Sequence, residues 1–385
     1  MSQSPQNLSR ATAEIDLAAV RQSVATLNTV SGSAEVMSVV KADAYGHGML
    51  PCAHAALQGG ASWLGVAFVA EALDLRAAGI TAPVLSMVSV PGEALGSAIA
   101  ADVDLPVGTL AGLAEVAGAA RAIGRTARIH LKIDTGLSRG GASAAEWSDL
   151  VIAAAKLRAE EVIEVVGIWS HLACADDPTH PSIDSAIEAF TSAVAVAEVE
   201  GLSVQFRHLA SSGAVLARPD THFDLVRPGL ATYGLSPFDS AVIDGLTPAM
   251  TLRSCVIQAK RVPAGTGVSY GLRYTTPLDA TLALVPIGYA DGIPRAASNA
   301  ASMLVAGGAR VVSGTVCMDQ VVIDCGDAPV EAGDPVVVFG RAARGEPTVD
   351  DWARATGTIN YEIVTRIGAR VPRTYLNELP SGQSS

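Results

Sequence analysis

Eight short β-branched runs, alternating with Ala-rich stretches whose apolar residues recur near helical spacing, fill the first 245 residues of this 385-residue chain. The runs lie at 35–40, 63–66, 83–86, 103–107, 127–133, 163–168, 204–209 and 224–226. Helical stretches include 16–29, 144–159 and 182–199. Strands alternating with helices at this rhythm indicate βα units and a parallel sheet. Eight units favour closure into a (β/α)8 barrel. No G-x-G-x-x-G follows the first run, which weighs against a dinucleotide-binding open sheet.

The texture changes after about Thr247. Val-rich runs at 250–262, 280–286, 302–305, 311–316, 321–324 and 335–339 are separated by Gly, Pro or Asp turns. Helical pattern returns at Thr348, where Asp350 and Asp351 in the first turn favour a helix N-terminus. The expected organisation is α/β: a (β/α)8 barrel over 14–245, then a mostly β domain over 246–380. Residues after Leu379 read as a frayed tail.

Composition narrows the function classes. The formal charge is −12 and no basic run occurs, which excludes a nucleic-acid footprint. No apolar stretch approaches the ~18 residues that span a bilayer. The segment Met1 to Arg10 is polar and has no apolar core, so no secretory signal is expected. Cys52, Cys174, Cys255, Cys317 and Cys325 are odd in number and form no C-x-x-C. They read as free thiols of a cytoplasmic protein, with no metal site expected. Lys is scarce: of 26 Lys plus Arg, only Lys41, Lys132, Lys156 and Lys260 are Lys.

A parallel barrel places its active site at the C-terminal ends of its strands. Those positions are loaded here. Lys41 begins Lys41-Ala42-Asp43-Ala44-Tyr45-Gly46-His47-Gly48, Lys132 precedes Asp134 and Arg139, and His171 follows the sixth run. His208 and Ser211-Ser212-Gly213 follow the seventh, and Arg227-Pro228-Gly229-Leu230 the eighth. Lys41 and Lys132 both close runs that should be buried, and Lys is seldom buried unless paired or used chemically. A desolvated Lys can condense with a carbonyl. Small residues after strands seven and eight suit a phosphate. Together these point to pyridoxal 5'-phosphate (PLP), although many barrels bind sugar phosphates instead.

At this point the chain resembles the alanine racemase family. The resemblance is carried by Val39-Val40 with the Lys41–Gly48 stretch, by residues 131–139, His171, residues 223–229 and Val268-Ser269-Tyr270-Gly271. It continues through residues 287–295, Val316-Cys317-Met318-Asp319-Gln320 and Thr358-Ile359-Asn360-Tyr361-Glu362. It runs from about Thr12 to Tyr375. It implies a homodimer with shared active sites, and residues 1–13 pairing with the C-terminal β domain.

The resemblance also implies residue roles. Lys41 would hold PLP covalently and act as one of two bases, and Tyr270 of the partner subunit would be the other. Racemisation removes a proton from one face of Cα and delivers one to the opposite face, so two opposed groups suffice. Tyr45, Ser212, Gly229, Leu230 and Tyr361 would surround the cofactor phosphate, with Ser211 standing where the family often has Asn. Arg227 would face the pyridine nitrogen, held by His171. Arg stays protonated, so it donates a hydrogen bond but hardly a proton, and the ring becomes a weaker electron sink. Arg139, Met318 and Asp319 would meet the substrate, and Lys132 matches a lysine carbamylated in many members. Asp176, Tyr289, Arg295 and Tyr361 would line the substrate channel. Thr315 stands where the family commonly has a gate Arg, and Cys174 where it has a small residue.

The implied activity is interconversion of L- and D-alanine, supplying D-alanine for peptidoglycan. The nearest alternative is a racemase of this architecture acting on serine or a basic amino acid. Bulky Tyr270 and Tyr361 favour a methyl side chain. A PLP barrel decarboxylase calls for an acidic partner to the pyridine nitrogen, which Arg227 opposes. A non-enzymatic PLP carrier barrel lacks the β domain.

Overall fold

The computed structural model describes residues 10–238 and 243–379, so the tail after Leu379 and the first nine residues lie outside the described residues. The chain divides into two units. One comprises Val20–Ala44 and Met49–Leu246; the other comprises 10–19, Tyr45–Gly48 and Thr247–Leu379.

The first unit is the expected barrel. Its strands are β2 (Glu35–Val39), β3 (Trp63–Val66), β4 (Val84–Ser86), β5 (Val103–Val107), β6 (Ala127–Lys132), β7 (Ile163–Trp169), β8 (Phe206–His208) and β9 (Leu225–Val226), numbered after a first strand, β1 (Ala11–Asp16), in the other unit. All neighbours from β9 through β2 to β8 pair in parallel. The ring closes between β8 and β9 by hydrogen bonds from Asp224 N to Arg207 O and from Arg227 N to Ala210 O. Helices follow the strands because the intervening segments bury one stripe each, as Leu113, Val116, Ala117 and Ala120 do in Leu110–Ile123. Thr109 caps that helix and Gly124 ends it in the left-handed region.

Met37, Trp63, Leu85, Val166, Phe206 and Leu225 fill part of the barrel interior. Each such side chain contributes about 1.5–3 kcal/mol by leaving water. Beside this apolar cluster the interior turns polar. The β6–β7 register shifts between Ile129 and His130, and His130 is fully buried. Gly167 on β7 makes the room: a Cβ there would stand 2.5 Å from His130 Nδ1 and 2.9 Å from Phe206 O.

In the second unit, β10 (Met250–Cys255) pairs antiparallel with β1, and Arg373–Leu376 pairs parallel with β1 on its other side. Pro335–Phe339, Ser302–Val305 and Gly308–Val311 complete a six-stranded sheet. A three-stranded sheet joins Gln258–Val262, Ala280–Val285 and Val321–Asp324. Two expectations change here. The run 250–262 breaks at Val256, whose N–H goes to Asp334 O, and its halves serve different sheets. Of the run 311–316 only Val311 belongs to a strand, because the chain turns at Gly314 with φ +87°, where a Cβ would meet Val268 O at 2.7 Å. Thr348 does cap a helix, accepting from Asp351 N while Asp351 reaches back.

Gly167→Ala should lower the barrel's stability by about 1–3 kcal/mol through overpacking against His130. A thermal scan checks this, and an unchanged midpoint would show that the interior has slack at that point.

Candidate active site

The turn after β2 is left-handed. Ala42, Asp43, Ala44 and Tyr45 have φ of 51°, 54°, 54° and 54°, and Gly46 has 80°. Each such L-residue costs about 1–2 kcal/mol, and runs of them are rare. The barrel supplies compensating bonds. Ala42 N donates to Glu71 Oε1 at 2.7 Å, Met49 N to Asp43 Oδ1 at 2.8 Å and Ala44 N to Val40 O at 2.8 Å. Upstream, Val39 is clasped by Pro228 O on its N–H and by the Tyr233 hydroxyl on its carbonyl. Lys41 stands between this clasp and the turn. Its pKa is lowered, first by burial and then by the charge of Arg139, against a smaller opposing pull from Glu71.

Arg227 follows β9 and is buried. Its Nη2 donates to Ser170 O at 2.7 Å and Leu209 O at 3.2 Å, and lies 3.3 Å from His171 Nδ1. Its Nη1 lies 3.1 Å from His208 Nδ1. Arg has no acceptor, so both histidine atoms accept. Burial lowers the guanidinium pKa to about 9, which still leaves it charged at neutral pH.

Behind His208 runs a chain of buried polar groups. His208 Nε2 is 2.9 Å from His130 Nδ1, and His130 Nε2 is 3.1 Å from Asp104 Oδ2. The Asp104 carboxylate only accepts, so every proton in the chain points away from Arg227 and both rings are neutral. Burial alone would raise the Asp104 pKa, but hydrogen bonds from His130 and Arg128 outweigh it and hold the carboxyl low. The pKa of His208 lies well below the usual histidine value, through burial first and then Arg227. Arg128 compensates Asp104 from the other end, and among the described residues no carboxylate pairs with Arg227.

No motif in the sequence assigns a role to Asp104, His130 or His208. The available signal was polar residues amid the apolar residues of β5, β6 and β8. Trp169 was missed too. Its ring stacks on His208 at 5.7 Å, with Lys132 Nζ 4.4 Å and Arg227 5.0 Å from its centroid.

The barrel unit thus brings together Lys41, Lys132, Arg139, His171 and Arg227. The pKa of Lys132 falls to about 8, through burial first and then the charges of Arg227 and Arg139. That of His171 is driven well down by burial and by all four cations. Ser212 Oγ accepts from Gly229 N at 2.9 Å and Ala231 N at 3.2 Å, which ties the two small-residue loops together. Leu230, between Gly229 and Ala231 in sequence, is buried, while Arg139 and Asp176 are exposed on their loops.

In the other unit, Tyr45 and Tyr361 stand ring to ring with centroids 6.1 Å apart. Burial, with Tyr361 second, raises the Tyr45 pKa. Tyr270, Met318 and Asp319 line one cavity of about 390 Å³ with Ser269, Cys317 and Gln320. Tyr270 is 73% exposed. The Asp319 carboxylate is bound by Arg370, which also reaches Asp291. Tyr289 N and Ala290 N donate to Cys317 O and Met318 O, and Arg295 is exposed on a short helical turn. Thr315 is buried, with its hydroxyl on the Tyr270 carbonyl.

The likeness to known proteins spans nearly the whole chain. The family model for the alanine racemase N-terminal domain matches residues 15–237, and that for the C-terminal domain matches 249–375. An alanine racemase of Frankia casuarinae is 59% identical over 370 residues, covering 95% of this chain and 96% of that protein. The solved alanine racemase of Streptomyces lavendulae superposes with a TM-score of 0.96 at 52% identity, covering 97% of this chain and 99% of that one. The alanine racemase of Bartonella henselae, 28% identical with a TM-score of 0.87 over 96% of this chain and 100% of that one, was solved with pyridoxal phosphate covalently bound. The chain belongs to the alanine racemase family of isomerases.

Proposed function

We propose that this chain racemises alanine with PLP held covalently by Lys41, in a cytoplasmic homodimer that supplies D-alanine for peptidoglycan. The barrel unit carries Lys41, and the unit that holds Thr247–Leu379 carries the groups offered to the partner. The observation that carries the reading is Arg227. It is a buried cation whose Nη atoms are used by protein acceptors, while its Nε makes no hydrogen bond among the described residues. That is a donor awaiting an acceptor such as a pyridine nitrogen. Among the described residues, Glu71 acts on Lys41 and Asp134 on Lys132, two carboxylates beside the four cations Lys41, Lys132, Arg139 and Arg227. A site so charged suits an anion such as a phosphate ester with a phenolic oxygen.

When bound, PLP supplies a conjugated ring that spreads the negative charge developing at Cα. Arg227 limits that spreading, because it donates a hydrogen bond without giving up its proton. Ser212, Gly229, Leu230, Tyr45 and Tyr361 hold the phosphate. The lowered pKa of Lys41 raises the share of neutral amine available to take and return a proton at one face of Cα. Tyr270 of the partner subunit serves the other face. Exposed Tyr270, Leu272 and Met318 support an interface at that surface. Arg139 orients the substrate carboxylate, with Met318 and Asp319 of the partner subunit, while Asp176, Tyr289 and Arg295 line the channel. His171 positions Arg227. Lys132, partly neutral near pH 8, can add carbon dioxide, which would place a carbamate anion beside Arg139.

Incubation with L-alanine in deuterium oxide should yield D-alanine and α-deuterated alanine, with L-serine and L-lysine turning over more slowly. A preference for lysine, or no α-exchange by PLP-loaded protein, would overturn this reading. Mixing Lys41→Ala with Tyr270→Ala protein should restore up to about a quarter of wild-type activity, because half of randomly formed dimers carry one intact site. No recovery after confirmed subunit exchange would refute shared sites. With ¹³C-bicarbonate, NMR should show a carbamate resonance that disappears in Lys132→Ala. Its absence from wild-type protein would exclude the modification.

A further inference from the structure

We propose that Thr315 and Ser269 form a clasp that sets the position of Tyr270 for proton transfer. Both are positioning residues, and the proposal rests on the reading of Tyr270 as the second acid–base group.

The exposed Tyr270 ring gains little packing support within its own chain. Its direction is therefore set mainly by its backbone, which is held under strain. Ser269 has φ 62° and ψ −172°, a region that belongs almost entirely to glycine. Gly271 and Leu272 also have positive φ, 73° and 46°. Such a conformation persists only where neighbouring contacts over-determine it.

Those contacts are specific. Ser269 Oγ donates to Thr315 O at 2.6 Å, and Thr315 Oγ1 donates to Tyr270 O at 2.8 Å. Each hydroxyl thus bonds a backbone carbonyl of the facing segment, Ser269 that of Thr315 and Thr315 that of Tyr270, across the gap between segments 268–273 and 312–317. Asn299 braces both segments: its Oδ1 accepts from Gly314 N at 2.6 Å and its Nδ2 donates to Arg273 O at 3.1 Å. Gly314 permits the approach, since a Cβ there would press on Val268 O and the Ser269 side chain. The Thr315 hydroxyl is spent inward on this bond and is 4% exposed at the residue level. It therefore does not stand in for a charged gate residue; it fixes the backbone of Tyr270. Proton transfer needs the phenol oxygen within about 2.6–3.2 Å of its target, directly or through one water. A displacement of about 1 Å can cost on the order of 100-fold in rate.

The test is Thr315→Val, which keeps the shape and removes the hydroxyl, beside Thr315→Ser, which keeps the hydroxyl. The full-length holoenzyme is labelled with 3-fluorotyrosine at its seven Tyr, and the Tyr270 signal is assigned by its loss in Tyr270→Phe. Thr315→Val should shift, broaden or split that fluorine signal and lower kcat about 10- to 100-fold with KM little changed. Thr315→Ser should restore both. An unperturbed Tyr270 signal or an unchanged kcat in Thr315→Val overturns the clasp. If Thr315→Val fails to fold, Ser269→Gly replaces it, since glycine takes that backbone conformation without strain while the hydroxymethyl group and its bond to Thr315 O are lost; the same two readouts decide. A Tyr270→Phe enzyme that still racemises both enantiomers at the wild-type rate would instead refute the reading of Tyr270, whatever the fluorine signal shows.

Discussion

A buried, unmatched positive charge governs the barrel. Taking the Arg227 guanidinium out of water costs several kcal/mol unless its donors are satisfied. Hydrogen bonds to charged groups return about 1.5–3 kcal/mol each. The acceptors come from two strand ends: Ser170 O and His171 beyond β7, with His208 at the end of β8 and Leu209 O just after it. Only closure of the ring between β8 and β9 brings all of them around one side chain. His208 can accept from Arg227 only in one tautomer, and His130 and Asp104 fix that tautomer from behind. Gly167 in turn leaves space for His130. A chain of local choices across β5 to β9 thus serves one charge.

The left-handed turn after β2 is a second cost accepted for position. Four consecutive residues with a Cβ sit where L-residues are strained. Glu71 carries much of the compensation on the barrel side, accepting from Ala42 N, Ala67 N and Phe68 N at once. In the other unit, Arg373 Nε donates to Gly46 O and His47 Nδ1 meets Tyr45 O. A right-handed turn at this point would send the side chains after Lys41 in different directions.

What could be read in advance depended on how local the cause was. The barrel strands were legible because β-branched runs and helical stripes are short-range patterns, and Lys41 because a cation at the end of an apolar run is conspicuous. The role of the Asp104–His130–His208 chain was not, since its meaning comes from three strands that meet only after closure. The split of 250–262 between two sheets and the turn at Gly314 depend on partners far along the chain. Thr315 shows the sharpest contrast. Alignment by motif suggested a lost gate charge, whereas the fold turns its hydroxyl inward onto a backbone carbonyl.

The first strand carries a consequence for how the molecule is made. Ile15 pairs with Met250 and also with Tyr375, so β1 is synthesised long before either neighbour exists. At ~5–20 residues per second the ribosome needs on the order of tens of seconds to deliver β10. The barrel can close meanwhile from strands that are mostly sequential. β1 has to wait as an open edge, and its composition suits waiting: it is six residues long, with Glu14 and Asp16 alternating with Ala13 and Ile15, and shortness and charge are what discourage an edge from recruiting the wrong strand. The β unit is therefore assembled around a strand that is made well before either of its neighbours.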